Sequence, residues 1–345
     1  MKILKLPKTE LDFFASVLQQ FGEVHAPVRK GAGLVFERLE RWSDAQVQYT
    51  RTLLPPKKYF LPPKEKMFSY SPQGYVPEVE NLERRIVLFG VHACDLNGLN
   101  ILDEVFSEGV FPDPYYRARR QNVALIGIDC IPDAHCYCRS MRADYVDKGF
   151  DLFLYEISDE DYMVQVGTAL GDDMVLAAES LFHPITRGNI RDYKERSQEL
   201  QASKQLDVEI RDLPEILELE WDNDIWEELG EKCLGCGACT MVCPTCYCYD
   251  VVDENTLGCN AGTRCRHWDS CMFTTHALVA GGENFRESQG ARVRYRFYHK
   301  QRGFVAEYGH PSCVGCGRCT DVCPVGIKDA AVINRLRGVV SYAGH

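Results

Sequence analysis

Two cysteine runs with the same spacing dominate the chemistry that this chain could perform. The first run is Cys233, Cys236, Cys239 and Cys243, followed by Pro244; the second is Cys313, Cys316, Cys319 and Cys323, followed by Pro324. Both follow C-x2-C-x2-C-x3-C-P, and the residues between the cysteines also agree, CLGCGACTMVCP against CVGCGRCTDVCP. This spacing is typical of loops that hold [4Fe–4S] clusters. Two complete copies therefore predict two clusters.

The spacing also predicts which cysteines share a cluster. Three cysteines two residues apart wrap one loop around a cubane, and thiolates are the soft ligands that iron prefers. The fourth cysteine of such a run typically binds the other cluster of the pair. Glycines inside the loops permit positive φ angles and a close approach of the backbone: Gly235, Gly237, Gly315 and Gly317. We therefore assign cluster one to Cys233, Cys236, Cys239 and Cys323, and cluster two to Cys313, Cys316, Cys319 and Cys243.

Four further cysteines lie in the first half of the chain: Cys94, Cys130, Cys136 and Cys138. Cys94 follows an apolar, strand-like segment at 84–91, and Cys130 follows a second one at 122–128. If these strands are parallel neighbours, both thiols lie at their carboxyl ends, where α/β sheets bind ligands. Cys136 and Cys138 follow on a short loop that could fold over the same place. The four thiols predict a third [4Fe–4S] cluster. A tetrahedral zinc ion and a set of buried free cysteines are the alternatives.

Five cysteines remain outside these sets. Cys246, Cys248 and Cys271 flank the first run, where they could bind another cluster, tune one through S–H contacts, or only pack; packing is favoured. Cys259 and Cys265 lie in the segment LGCNAGTRC, and no role is assigned to them.

Composition sets limits on the class of protein. The chain has 345 residues, of which 45% are hydrophobic and 26% charged, as in a globular protein with room for two domains. Seventeen cysteines in a chain of this length indicate metal ligands rather than a secreted disulfide scaffold, and thiolate ligands favour a reducing, cytoplasmic location. A net charge of −11 argues against nucleic acid as a partner. Neither a long apolar run nor a secretory segment is found, so no membrane span is expected.

The pattern along the chain predicts an α+β fold. Strand-like and helix-like segments alternate between 84 and 182, with a helix expected at 95–106, a strand pair at 151–157 and 162–168, and a helix at 173–182. We predict an α/β domain over 1–205, an acidic linker or helix over 206–231, and a mainly helical dicluster ferredoxin-type domain over 232–345. The basic and aromatic run at 291–303 is expected to form a solvated face or a patch for an acidic partner, in preference to a nucleic-acid site.

Several longer segments carry a resemblance to a known family. They are APVRK, RTLLPPKKYFLPPKEKMF, LFGVHACDLNGLNILDEVF, IGIDC-x5-CYC, KGFDLF, CLGCGACTMVCPTCYCYDV, RHWDSC, LVAGGENFR and CVGCGRCTDVCP. Over nearly its whole length the chain resembles the β subunit of soluble nickel–iron hydrogenases of the sulfhydrogenase type, and its relative, the A subunit of anaerobic sulfite reductase. LLPPKKYF and GVHACD favour the hydrogenase subunit.

The resemblance implies a function beyond what the spacing shows. Such a subunit lies beside a flavin (FAD) subunit that exchanges hydride with NAD(P). It passes electrons through its clusters towards the small and large subunits of a nickel–iron hydrogenase, and some members also reduce sulfur or polysulfide. The cysteines that match family positions are Cys94, Cys130, Cys136, Cys138, Cys246, Cys248 and Cys271. No GxGxxG fingerprint or P-loop is present, and no catalytic residue is expected in this chain. The alternative function is electron input to a siroheme sulfite reductase.

Overall fold

The computed structural model describes residues 2–79, 84–202, 206–258 and 260–338. The chain divides into two compact units, and each of them is discontinuous in sequence. The first unit contains Met1–Phe60, Glu78–Ala134 and Asp144–Lys204; the second contains Leu61–Pro77, His135–Ala143 and Gln205–His345. The predicted sequential boundaries after residues 205 and 231 stay predictions.

The described residues contain strands and helices with the following bounds. The strands are β1 (Lys2–Pro7), β2 (Glu23–Lys30), β3 (Gly33–Arg38), β4 (Lys64–Ser71), β5 (Gly74–Pro77), β6 (Ile86–Val91), β7 (Val123–Ile128), β8 (Leu152–Glu156), β9 (Asp161–Val166), β10 (His183–Pro184), β11 (Tyr249–Asn255) and β12 (Gly262–Trp268). The helices are α1 (Leu11–Leu18), α2 (Ala93–Phe106), α3 (Pro114–Gln121), α4 (Ala169–Ala177), α5 (Arg187–Ala202), α6 (Leu213–Leu219), α7 (Ile225–Lys232), α8 (Ala238–Met241), α9 (Gln289–Tyr298), α10 (Phe304–Tyr308), α11 (Arg318–Asp321) and α12 (Asp329–Leu336).

The first unit is built on a mixed sheet with the strand order β10-β1-β9-β8-β7-β6-β2-β3. The pairs β2–β6, β6–β7 and β7–β8 are parallel, and the outer pairs are antiparallel. Strands β6 and β7 are almost wholly buried, which explains why their sequences are continuous apolar runs. Both predicted strands, the antiparallel β8–β9 pair and helix α2 agree with the sequence patterns. The helix expected at 173–182 is present as α4, but it begins at Ala169 and ends at Ala177.

The second unit contains a four-stranded antiparallel sheet, β11-β12-β4-β5, in addition to its helices. The prediction of a mainly helical C-terminal domain is therefore not confirmed, because the β11–β12 hairpin lies between the two cysteine runs. The local sequence did not predict this four-stranded sheet, since β12 pairs with β4 from much earlier in the chain. A buried ion pair fixes this long-range pairing: Arg266 Nε donates to the carboxylate of Glu65 at 2.8 Å.

The acidic stretch and the end of the chain form helices of the second unit. Helices α6 and α7 lie in the stretch predicted as an acidic linker or helix, and α7 packs against α9. Helix α9 continues through a wider turn of π-helix (His299–Gly303) into α10. Helix α12 follows the second cysteine run. Across the described ranges, no helix combines the length and the apolar character that crossing a membrane requires.

Candidate metal centres

The two cysteine loops repeat each other in conformation. Each begins with two glycines in the left-handed region: Gly235 and Gly237 at φ 63° and 73°, and Gly315 and Gly317 at φ 62° and 74°. Each then enters a one-turn helix, α8 or α11, that carries the third cysteine of the run. These φ values agree with the role that the sequence predicts for the glycines. The structure thus builds the same loop twice.

The loops face two cavities in the second unit. The first cavity, here called site one, is lined by Cys233, Cys236, Cys239 and Cys323. The second, here called site two, is lined by Cys313, Cys316, Cys319 and Cys243. The fourth cysteine of each run thus lies at the cavity of the other run, as the assignment requires. Cys319, Arg296 and Asp329 line both cavities, so the two sites share a wall.

Hydrogen-bond donors surround the cysteine sulfurs at both sites. At site one, the N–H of Gly235 and the side-chain amide of Gln289 both donate to Cys233 Sγ at 3.4 Å. The N–H of Ile327 donates to Cys323 Sγ at 3.2 Å. Donors of this kind tune the reduction potential of an iron–sulfur cluster.

At site two the donors are of a different kind. The N–H of Gly315 donates to Cys313 Sγ at 3.5 Å, and the Tyr137 hydroxyl lies 3.2 Å from the same sulfur. Burial raises the pKa of Tyr137 well above its usual value, so the phenol keeps its proton and can donate it to a thiolate sulfur at this position. Sequence reasoning missed Tyr137, although its position between Cys136 and Cys138 was a visible signal.

The chemistry of the donor set fits a cluster at each site. Burial raises the pKa of the thiols of Cys239, Cys313 and Cys319, because a lone thiolate is poorly solvated there. Iron would supply the positive charge that buried thiolates need, and the four cysteines assigned to each site match the ligand count of a cubane.

Three basic side chains of the 291–303 run are buried, and two of them, Arg296 and Lys300, line the sites. Arg292, Arg296 and Lys300 are 6%, 5% and 4% exposed, so the expectation of a solvated face or docking patch is wrong for these three residues. Their spacing of four residues places them on one face of a helix. Arg296 makes a bidentate pair with Asp329, at 3.0 and 2.8 Å. The sequence showed the basic pattern but not the buried acid, which lies in α12.

The cysteines predicted for a third cluster belong to both units. In the first unit, Cys94 lies in the first turn of α2, and Cys130 follows β7, with its Sγ 3.7 Å from the carbonyl of Thr50. The expected parallel pairing of β6 with β7 is present, so both residues follow the carboxyl ends of neighbouring strands. In the second unit, Cys136 and Cys138 are buried, and Cys136 Sγ lies 3.9 Å from the carbonyl of Cys316. The third cluster stays a prediction.

The flanking cysteines form a small polar network of their own. Cys248 hydrogen-bonds to Cys271 and to His276, and His276 binds Asp269. The hydrogen bond from Cys271, assisted by His276, lowers the pKa of Cys248. Cys246 lies near the ammonium of Lys300. His276 and Asp269 were not singled out from the sequence, which gives no periodic signal for them.

The remaining cysteines have no assigned site. Cys259 lies outside the described residues. Cys265 is buried in β12, and its sulfur lies within 4.8 Å of ligand atoms of Glu254 and His267. However, the Lys64 ammonium already binds the Glu254 carboxylate at 2.5 Å, which opposes the binding of a second cation.

Comparisons with known proteins agree with this geometry. Residues 232–327 match the 4Fe-4S dicluster domain family, and this range contains both cysteine runs. Over 337 residues the chain is 40% identical to sulfhydrogenase 2 subunit beta of Pyrococcus furiosus, with 98% of this chain and 99% of that relative aligned. No solved structure gives a significant match.

Proposed function

Because the chain belongs to the family of sulfhydrogenase β subunits, we propose that it carries electrons through [4Fe–4S] clusters at sites one and two, as a subunit of a hydrogenase complex. The fourth cysteine of each run lines the cavity of the other run, and this observation supports the proposal most strongly. Each bound cubane would gain or lose one electron at a time. Since the cavities share a wall, the two clusters would be neighbours.

The protein itself contributes position, burial and hydrogen bonds. The left-handed glycines fold each loop around its cavity, and the exchanged cysteines tie the loops together. Amide and hydroxyl donors reach the sulfurs of Cys233, Cys313 and Cys323. These groups stabilise the negative charge that a reduced cluster carries. No residue of this chain is assigned to bond-making chemistry, so the proposed role is electron relay.

Metal analysis of matched variants tests the relay sites. The full-length chain, prepared without oxygen, is analysed for iron and acid-labile sulfide, and by EPR after dithionite reduction. C239A should lose the iron of one cubane and the matching EPR signal, because Cys239 lines site one. C265A should keep both, because Cys265 is a buried cysteine of β12 that lines neither site. Equal iron and sulfide in the two variants would refute the assignment.

The proposed partners come from the family. An FAD subunit that binds NAD(P) would supply or accept electrons on one side, and the nickel–iron small and large subunits on the other, in the cytoplasm. Purification of the tagged chain from its own cells tests this: co-purified nickel and flavin support the proposal. Co-purified siroheme would instead indicate a sulfite reductase; the match to a sulfhydrogenase subunit favours the hydrogenase.

We also propose a third cluster bound by Cys94, Cys130, Cys136 and Cys138. The parallel β6–β7 pair supports it, because ligands of α/β sheets bind beyond the carboxyl ends of such strands. C130A should then lose the iron of one further cubane while keeping the EPR signals of sites one and two. Loss of zinc in place of iron would indicate a tetrahedral zinc site, and unchanged metal would mean that these thiols only pack.

A further inference from the structure

A buried lysine distinguishes site two from site one. Lys300 lines site two, and only 4% of the residue is exposed. Its ammonium donates to Thr245 Oγ1 at 2.8 Å and to the carbonyl of Ser312 at 3.3 Å. Both partners are neutral, so neither cancels the positive charge. A buried, uncancelled cation is costly unless a negative charge lies nearby.

The contacts of Lys300 lead directly to the ligands of site two. Thr245 Oγ1 lies 3.3 Å from Cys243 Sγ. Because this oxygen accepts from the ammonium, its own hydrogen is available for the sulfur. Ser312 directly precedes Cys313, and its N–H donates to the carbonyl of Lys300 at 2.9 Å. The lysine is thus held between the segments that carry two ligands.

Site one has no equivalent cation among the side chains that line it. Arg296 reaches both cavities, but its guanidinium is paired with the carboxylate of Asp329 through two hydrogen bonds. The side chain that donates to a site-one cysteine is the neutral amide of Gln289. The two sites therefore have similar ligands but a different local charge.

We propose that Lys300 raises the reduction potential of the cluster in site two above that of the cluster in site one, so that site two holds the electron of a half-reduced pair. Reduction adds one negative charge to a cubane, and a nearby buried cation stabilises that charge. One electron would leave site one and enter site two, and Lys300 would keep its proton throughout. This inference rests on the proposed function, since it requires a cubane at each site.

EPR-monitored redox titration of the full-length, anaerobically loaded chain tests the inference. C243A, which removes a site-two ligand, identifies the transition that belongs to site two. In K300M the reduction potential of that transition should fall by at least about 59 mV, which corresponds to a tenfold change in the equilibrium constant for one electron. The potential of the other transition should change less. The matched control K328M removes an exposed lysine five residues after Cys323 in the sequence and should move neither transition, because solvent and salt screen its charge.

A second variant keeps the test decisive if K300M fails to load. T245V retains the lysine but removes the hydroxyl that links it to Cys243, and should lower the same transition by a smaller amount. Equal shifts of both transitions in K300M, or no shift beyond that of K328M, would overturn the inference. If T245V left both potentials unchanged and K300M lost iron, Lys300 would have only a structural role and the inference would be overturned. An unsubstituted chain without iron and sulfide would instead refute the proposed function itself.

Discussion

The two cysteine loops are nearly identical in sequence and in φ angles, but they lie in different surroundings. The residue after the first cysteine is Leu234 in one loop, 66% exposed, and Val314 in the other, 3% exposed. The second cysteine is exposed in the first loop, as Cys236, and only partly exposed in the second, as Cys316. Loop sequence thus determines how ligands are arranged, whereas the packing around the loop determines access and charge.

The packing differs because a separate segment covers the second loop. Residues 135–143 lie against it: the N–H of Tyr137 donates to the carbonyl of Gly315 at 2.8 Å. The first loop instead contacts the side chains of Gln289 and Phe273. Site one is therefore expected to react faster with small oxidants in solution, and site two to be shielded.

The largest expected effect comes from breaking the exchange of ligands. C243A should abolish the cluster beside the second loop, and C323A the cluster beside the first, because each fourth cysteine lies at the other cavity. Iron content and EPR titration of the two variants check this. If C243A instead eliminated the same transition as C233A, each run would bind its own cluster, and the comparison of two cross-linked sites would fail.

A substitution in the wall that the two sites share should change the reduction potentials of both clusters. D329N removes the charge that neutralises buried Arg296, and breaking a buried ion pair costs about 3–5 kcal/mol. We expect the loaded chain to unfold at lower urea concentration and both EPR transitions to move upward. E228Q is the control: it breaks an exposed pair with Arg335, also in α12, and should change little. A shift at only one site would contradict the shared wall.

Substitution of the first glycine in each loop tests how closely the backbone of a neighbouring segment packs against that loop. Gly235 and Gly315 have nearly the same φ, so alanine at either adds about 1–2 kcal/mol of left-handed strain. An added Cβ would lie 2.6 Å from backbone atoms of Tyr137 at Gly315, but near the flexible end of Gln289 at Gly235. G315A should therefore destabilise the loaded chain more than G235A, as urea unfolding would show. Equal losses of stability in the two variants would mean that residues 135–143 move away from the added Cβ at little cost.

The smallest expected effects concern single donors to sulfur. Y137F removes a hydroxyl that donates to Cys313, and Q289L removes an amide that donates to Cys233. Each variant should lower the potential of its own site only, and by less than K300M, because a neutral hydrogen bond is weaker than a buried charge. Redox titration of both variants, with the double variant as an additivity check, decides this. A shift at the opposite site would argue against the assignment of donors.

Several features could be predicted from local sequence because their signals are local. The strands β6 and β7 appear as continuous apolar runs, and the glycines of the loops carry the positive φ values that they were expected to have. The second unit's sheet could not be predicted, because β12 finds its partner β4 through the Arg266–Glu65 pair across a long sequence separation. The burial of Arg296 and Lys300 was missed for the same reason, since Asp329, Thr245 and Ser312 come from other segments.

By itself, the sequence determined that two loops of identical spacing carry eight cysteines in a pattern typical of [4Fe–4S] ligands, because the number and spacing of residues are covalent properties of the chain. Only the tertiary structure decided what surrounds those thiols: a lysine and a tyrosine at one site, and a neutral amide and open surface at the other. Charge, burial and hydrogen bonding to sulfur depend on residues far apart in sequence. They are therefore set by packing, and the spacing within the two loops does not encode them.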